Sequence, residues 1–495
     1  MKNKKCGLNN IPVSIIKEIA PIISDTLSEI FNICAVNGVY PDILKLGRVT
    51  PIYKKGSHED CSNYRPITIL PIFNKIFEKL INKRMVSFIN TFSILSENQY
   101  GYLKNKSTNH ALLHLINHIL NAFSLKKYLV AVFLDLSKAF DTVDHKILLD
   151  KMYRYGFRGP FLDLISSYLT NRRQYVDIDG NVSQTLPVTK GVPQGFVLGP
   201  LLFLIFINDI NFIMTSLRKV LFADDTVLYA TFDSLTHVGA IMNHYLDILH
   251  EWLLANKLKL NINKTNFLIF TMNINYNIPD LRINNISIDH VSKITYLGVI
   301  LDNKLSFNDH INLLCTKLAR INGLIYSLKH LLPFHCLKTI YFSFTYSYLN
   351  NNIIIWGGCP KTVLKPLQIM QNKTVRNLAP NNALNLHTDE MYKTLNLLNI
   401  NQLYLYRSSE FGFKWLFCNE YNMLHNERQN VHFIHGHNTR SNNRLRAPFP
   451  RLEKHKQFVV YNFIKIFNLL PVDIPDANIN IFKKYCYNYI KDNIQ

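Results

Sequence analysis

The chain has no C-x-x-C pair. Its eight cysteines (Cys6, Cys34, Cys61, Cys315, Cys336, Cys359, Cys418 and Cys486) are scattered, so neither a zinc knuckle nor a disulfide framework is legible and reduced thiols are expected. Long apolar runs are missing too. The most apolar stretch, FVLGPLLFLIFI (196–207), ends at Asn208 and Asp209, short of the roughly 20 residues that cross a bilayer, and reads as a buried helix. Asn9, Asn10 and Pro12 stand where a secretory leader needs unbroken apolar sequence, so an intracellular protein with no membrane partner is expected. Acidic residues are scarce: 55 Lys and Arg face 34 Asp and Glu, a net charge of +21 that points to a polyanionic partner. His432, His435 and His437 have no cysteine pair beside them and read as surface histidines, not zinc ligands.

What is present suffices for a large core. The 495 residues are 48% hydrophobic, enough for about three domains. Apolar residues at helical spacing over 11–36 predict one or two helices broken near Pro21. GRVTPIYKKGSHEDCSNYRPITIL (47–70) predicts a hairpin with basic residues. Helices are expected over 72–90, 108–123 and 145–156. YLVAVFLDL (128–136) has the continuous apolar character of a central strand buried on both faces. VLFADDTVLYA (220–230) predicts a hairpin around an Asp pair, while KLKLNI (257–262) and ITYLGVILD (294–302) predict further strands. Beyond residue 303 the pattern turns helical, and Lys317, Arg320, Lys373 and Arg376 fall off the apolar stripes, where they could grip duplex phosphates.

Three aspartates carry the chemistry. Asp135 ends the central strand, and Asp224 and Asp225 form the hairpin's pair. Carboxylates at such positions are hard oxygen ligands for divalent cations. Without cations they would repel and raise one another's pKa. Asp141 and Asp144 lie past the strand and suit turn and helix-capping roles.

Seven blocks in this order resemble the reverse transcriptases of non-LTR, LINE-type, jockey-like retrotransposons. They are NYRPITILP (63–71), QYGYLKNKST (99–108), FLDLSKAFDTVDH (133–145), GVPQGFVLGPLLF (191–203), FADD (222–225), NKLKLNINKTNFLIF (256–270) and YLGV (296–299). The resemblance implies an α+β right-hand polymerase with fingers, an antiparallel-sheet palm and a helical thumb. Residues 1–45 would be a helical extension, 46–302 fingers and palm, 303–400 thumb, and 401–495 a basic C-terminal region. It implies an RNA-directed DNA polymerase that extends a 3′-hydroxyl DNA primer on an RNA template with deoxynucleoside triphosphates, using two Mg²⁺ ions on Asp135, Asp224 and Asp225. Arg65, helped by Lys54 and Lys55, would reach the triphosphate; Phe140 would exclude the 2′-hydroxyl; Gln194 and Gly195 would position the nucleotide. Lys264 would protonate the leaving pyrophosphate, and Leu297 and Gly298 would form the primer grip.

Phe196 departs from the family's small residue after GVPQG and is expected to crowd the nucleotide pocket, which keeps a second reading open: an impaired, polymerase-derived RNA-binding protein. A third, an RNA-templated RNA polymerase, is disfavoured by Phe140 and by FADD in place of Gly-Asp-Asp. The stretch 437–451 resembles the tail of related elements. No endonuclease constellation precedes residue 46 and no RNase H carboxylate set follows 400. Nuclear action is implied by the resemblance alone.

Overall fold

The run YLVAVFL forms the strand Tyr128–Leu134, and its side chains divide between two cores. Leu129, Ala131 and Phe133 enter one, Val130, Val132 and Leu134 the other. Alternation across a pleat produces this division, and it explains why the strand lacks a polar face. In this computed structural model, which describes residues 11–192, 195–379, 386–418, 459–468 and 478–493, that strand is the middle of a five-stranded sheet. The order is Asp289–His290, Asn266–Phe270, Tyr128–Leu134, Asp225–Phe232, Arg218–Phe222. All pairings are antiparallel except the short edge of Asp289–His290 on Asn266–Phe270.

Helices Ile72–Thr91, His145–Arg154, Pro160–Leu169, Gly199–Ile207 and Val238–Ala255 supply one core. Each fully buried Leu or Phe there contributes about 1.5–3 kcal/mol. Gly199–Ile207 is apolar all round and buried, as expected for its sequence. Asp144 accepts the Ile147 amide at 3.1 Å and thereby caps His145–Arg154, the role read from sequence. The basic hairpin pairs Leu46–Tyr53 antiparallel with Tyr64–Ile69, and its first strand runs parallel to Arg173–Ile178.

The opposite core carries Thr108–Ser124 and the helical region. Asn308–Leu328 buries Leu314, Leu318, Ile321 and Ile325 against Lys361–Leu378, and Thr374 donates to Asn322 Oδ1 between them. Ile400–Phe417, begun by a capping box of Asn399 and Gln402, packs into the same core together with Val459–Phe467.

Two sequence expectations need correction. Residues Val13–Val36 form one helix, with Pro21 inside it and no break there. A proline removes one hydrogen bond and crowds one carbonyl, and here Phe31, stacked on Phe77 at 4.4 Å, and Ile16 still fix the helix on the body. That helix is also apolar and long enough, by composition, to cross a membrane. KLKLNI is no strand of the sheet: Leu260 bridges Leu136 in isolation, the Asn261 amide donates to Asp135 O at 2.8 Å, and a short turn Ile262–Lys264 follows. Among the described residues Cys34, Cys61, Cys315, Cys336, Cys418 and Cys486 are free thiols.

Candidate active site

The ladder brings the carboxylates to one end of the sheet. Leu134 pairs with Thr226, so Asp135 follows on where Asp225 precedes. Phe222 pairs with Asp225 across a two-residue turn of Ala223 and Asp224. Ala223 adopts φ +56°, a strained value for a residue with a Cβ, and the turn is held from the side. The buried Gln99 accepts the Ala223 amide at 3.1 Å and the Gly101 amide at 2.9 Å through one oxygen. Tyr100 donates its amide to Leu221 O at 2.7 Å. A Cβ on Gly101 would stand 2.5 Å from the Ala223 nitrogen, so glycine is what lets the QYGY segment lie against the turn.

Electrostatics shows the carboxylates acting on one another. Burial, then the charges of Asp224 and Asp135, push the Asp225 carboxyl up to about 6. Asp225 is solvent-accessible, yet neighbouring protein crowds out part of its hydration and two like charges face it. Asp224 is raised by burial and by Asp135, against the opposing pull of Arg65 and Lys54. The basic hairpin therefore aims its cations at the carboxylates. Hard carboxylate oxygens under mutual repulsion are a donor set that fits a divalent cation, although among the described residues no three such side chains already stand in ligating geometry.

Around this centre the structure places most of the expected residues. Lys264 Nζ lies 4.0 Å from Asp135 Oδ2. Phe140 stacks on Phe203 at 4.3 Å and meets Tyr102 edge-on at 6.2 Å. Gly191 and Gly195 take φ +86° and +101°; a Cβ on the first would stand 2.7 Å from Asp141 O, on the second 2.9 Å from Thr68 O. Gly191 thus lies against the turn that holds Phe140, and Gly195 against the basic hairpin. Gln194 lies outside the described residues, as do His432, His435, His437 and the stretch 437–451. Leu297 and Gly298, at φ +47° and +82°, turn the hairpin Lys293–Tyr296 and Val299–Asp302. Tyr296 of that hairpin is buried against Phe133 at 5.5 Å, close enough to Asp225 to feel its charge. Asn352 donates to Leu297 O at 3.0 Å and accepts from Thr108 at 2.9 Å, which ties the turn to the helical region.

Phe196 corrects an expectation. The ring does not crowd the cleft: it is 5% exposed and packed in the core against Tyr168 and the Arg172 guanidinium. Sequence reasoning also missed Gln99 and Tyr102, the latter within reach of the charges on Asp224, Asp225 and Arg65. The glycine between two aromatics in QYGY was the one available signal for a close approach.

A carboxylate-tipped antiparallel sheet backed by helices, with a cationic hairpin across from it, defines the palm and fingers of a right-hand polymerase. The model of the reverse transcriptase (RNA-dependent DNA polymerase) family matches residues 52–301, and the chain belongs to that family. It is 31% identical over 366 residues to the RNA-directed DNA polymerase from mobile element jockey of Drosophila melanogaster, covering 71% of this chain and 40% of the relative. It is 29% identical over 417 residues to the probable RNA-directed DNA polymerase from transposon BS of the same species, covering 78% and 45%. The chain therefore spans less than half the length of these relatives. Among solved structures, apo telomerase from Candida Tropicalis is similar at 12% identity and TM-score 0.42, over 75% of this chain and 63% of that one.

Proposed function

We propose that the chain is the polymerising part of a mobile element's RNA-directed DNA polymerase, copying an RNA template from the 3′-hydroxyl of a DNA primer with deoxynucleoside triphosphates. The observation that carries this reading is the gathering of Asp135, Asp224 and Asp225 at the end of the sheet, where the charge of Asp135 raises both Asp224 and Asp225, opposite Arg65 and Lys54. Asp135, Asp224 and Asp225 would hold divalent metal, two Mg²⁺ ions, which when bound would lower the primer hydroxyl's pKa and offset charge on the phosphates. Arg65 is an exposed guanidinium on Tyr64–Ile69, suited to a bidentate grip on a triphosphate. Phe140, rigid on Phe203, presents its ring to the sugar and excludes a 2′-hydroxyl. Gln194 and Gly195 position the base pair. Lys264 donates a proton to the departing pyrophosphate, and the Leu297–Gly298 turn backs the primer end. We assign 46–302 to fingers and palm, 303–400 to the thumb, 401–495 to a basic C-terminal region and 1–45 to a bracing extension. The place of action implied by the family is the nucleus, with a cytoplasmic ribonucleoprotein as the alternative.

Primer extension on RNA templates tests this. The reading expects deoxynucleotide incorporation that requires a divalent metal and is lost with ribonucleotides. Tight RNA binding without any extension would instead favour the impaired RNA-binding reading.

A further inference from the structure

The loop that carries Gly195 is tethered from behind by a carboxylate that the site above does not use. Glu78, in the second turn of Ile72–Thr91, is completely buried. Its Oε2 accepts the Val197 amide at 2.6 Å, and its Oε1 accepts Asn74 Nδ2 at 2.9 Å and the Tyr168 hydroxyl at 2.8 Å. Tyr40 donates its hydroxyl to Asn74 Oδ1 at 2.7 Å and extends the chain of bonds away from the loop. A carboxylate removed from water is costly unless its oxygens are bonded, and here three donors from three segments converge on it. Beside them Arg172, 2% exposed, lies 4.5 Å from the centre of the Phe196 ring and donates to Tyr168 O at 3.0 Å.

We infer that Glu78 is a positioning residue: its grip on the Val197 amide, with Phe196 stacked over Arg172, fixes residues 195–198 at the height from which Gly195 meets the incoming nucleotide. A Cβ at Gly195 would already touch Thr68 O, so the loop has little room to settle elsewhere. Movement of Val197 is transmitted to the cleft. The nucleotide part of this inference rests on the polymerase reading, whereas the tether does not.

Two variants separate the tether from mere stability. Glu78→Gln keeps the volume and removes the charge; Tyr40→Phe breaks the same network at its far end. Glu78→Gln is expected to raise the nucleotide KM about ten- to hundredfold, the range an ångström-scale misplacement produces. It should leave the Kd for primer–template within about twofold, because binding spread over many phosphates changes little when one loop shifts, and speed amide exchange in peptides spanning 195–198. Tyr40→Phe is expected to lower Tm and move neither KM nor that exchange. Should Glu78→Gln fail to fold, Phe196→Leu, which removes the ring over Arg172 and keeps the carboxylate, carries the same expectation. Unchanged exchange and KM in Glu78→Gln, or an equal rise in KM in Tyr40→Phe, overturns the inference. A wild-type chain that does not polymerise defeats the polymerase reading alone, because the exchange comparison still decides the tether.

Discussion

At Asp135 the nearest cation is Lys264, 4.0 Å away, and both side chains are largely open to water at 65% and 43% exposure. Such a pair contributes under about 1 kcal/mol to stability. Lys264→Ala should therefore leave Tm nearly unchanged, so that a large fall in kcat would report chemistry and not folding; kcat equal to wild type would refute its role as the proton donor. Phe140 is different, because its stack on Phe203 gives a ring that cannot retreat. Phe140→Ala is expected to relax discrimination between deoxy- and ribonucleotides by about tenfold or more, the scale of a site that rejects one hydroxyl by shape. Competition between the two nucleotide classes in one extension reaction measures it, and an unchanged ratio would remove Phe140 from the sugar gate.

Among the elements, the Ala223–Asp224 turn is held by Gln99 as well as by the Phe222–Asp225 pairing. Gln99→Leu leaves two buried amides without an acceptor, each costing about 1–3 kcal/mol. Urea unfolding should show that loss together with reduced extension, and a variant as stable as wild type would mean that the turn holds itself. Thr108–Ser124 carries a stripe of His110, His114 and His118. Burial, then Arg218 and Lys106, brings His114 from 6.5 down to about 4, and burial, then Arg218 and His114, brings His118 to about 3. The folded state therefore keeps both rings neutral while the unfolded chain takes up protons below 6.5. Stability is full above that pH and falls as pH drops from about 6.5 toward about 3. Thermal melts across this window should show the decline, and a smaller one in His118→Gln; a flat profile would contradict the assignment.

For the whole molecule, an excess of 21 positive charges predicts RNA affinity that falls steeply with salt. A slope near zero between 50 and 200 mM salt, the range over which many phosphate contacts lose about 10³–10⁵ in affinity, would argue against a phosphate-tracking groove. The central strand and the hairpin that carries the Asp pair were legible in the sequence because a continuous apolar run and a two-residue turn are local signals, whereas the neighbouring strand Asn266–Phe270 was not read as one. The brace from Gln99, the tether from Glu78 and the inward turn of Phe196 were not, since each depends on a partner far away along the chain. KLKLNI alternates like a strand yet lies beside Asp135 as a turn-bound segment, because pairing past the sheet's end stops at Leu260. Pro21 misled for the opposite reason: packing of Ile16 and Phe31 outweighed a local breaker.

The central claim is that Asp224 acts in catalysis as part of a carboxylate trio. Asp224→Asn changes one charge and hardly any volume, so single-turnover extension and RNA affinity can be read on the same preparation. The account predicts extension lowered by at least about 10³-fold, in line with loss of a group acting mainly in the transition state, with RNA Kd within about twofold of wild type. Extension at the wild-type rate by Asp224→Asn would contradict it.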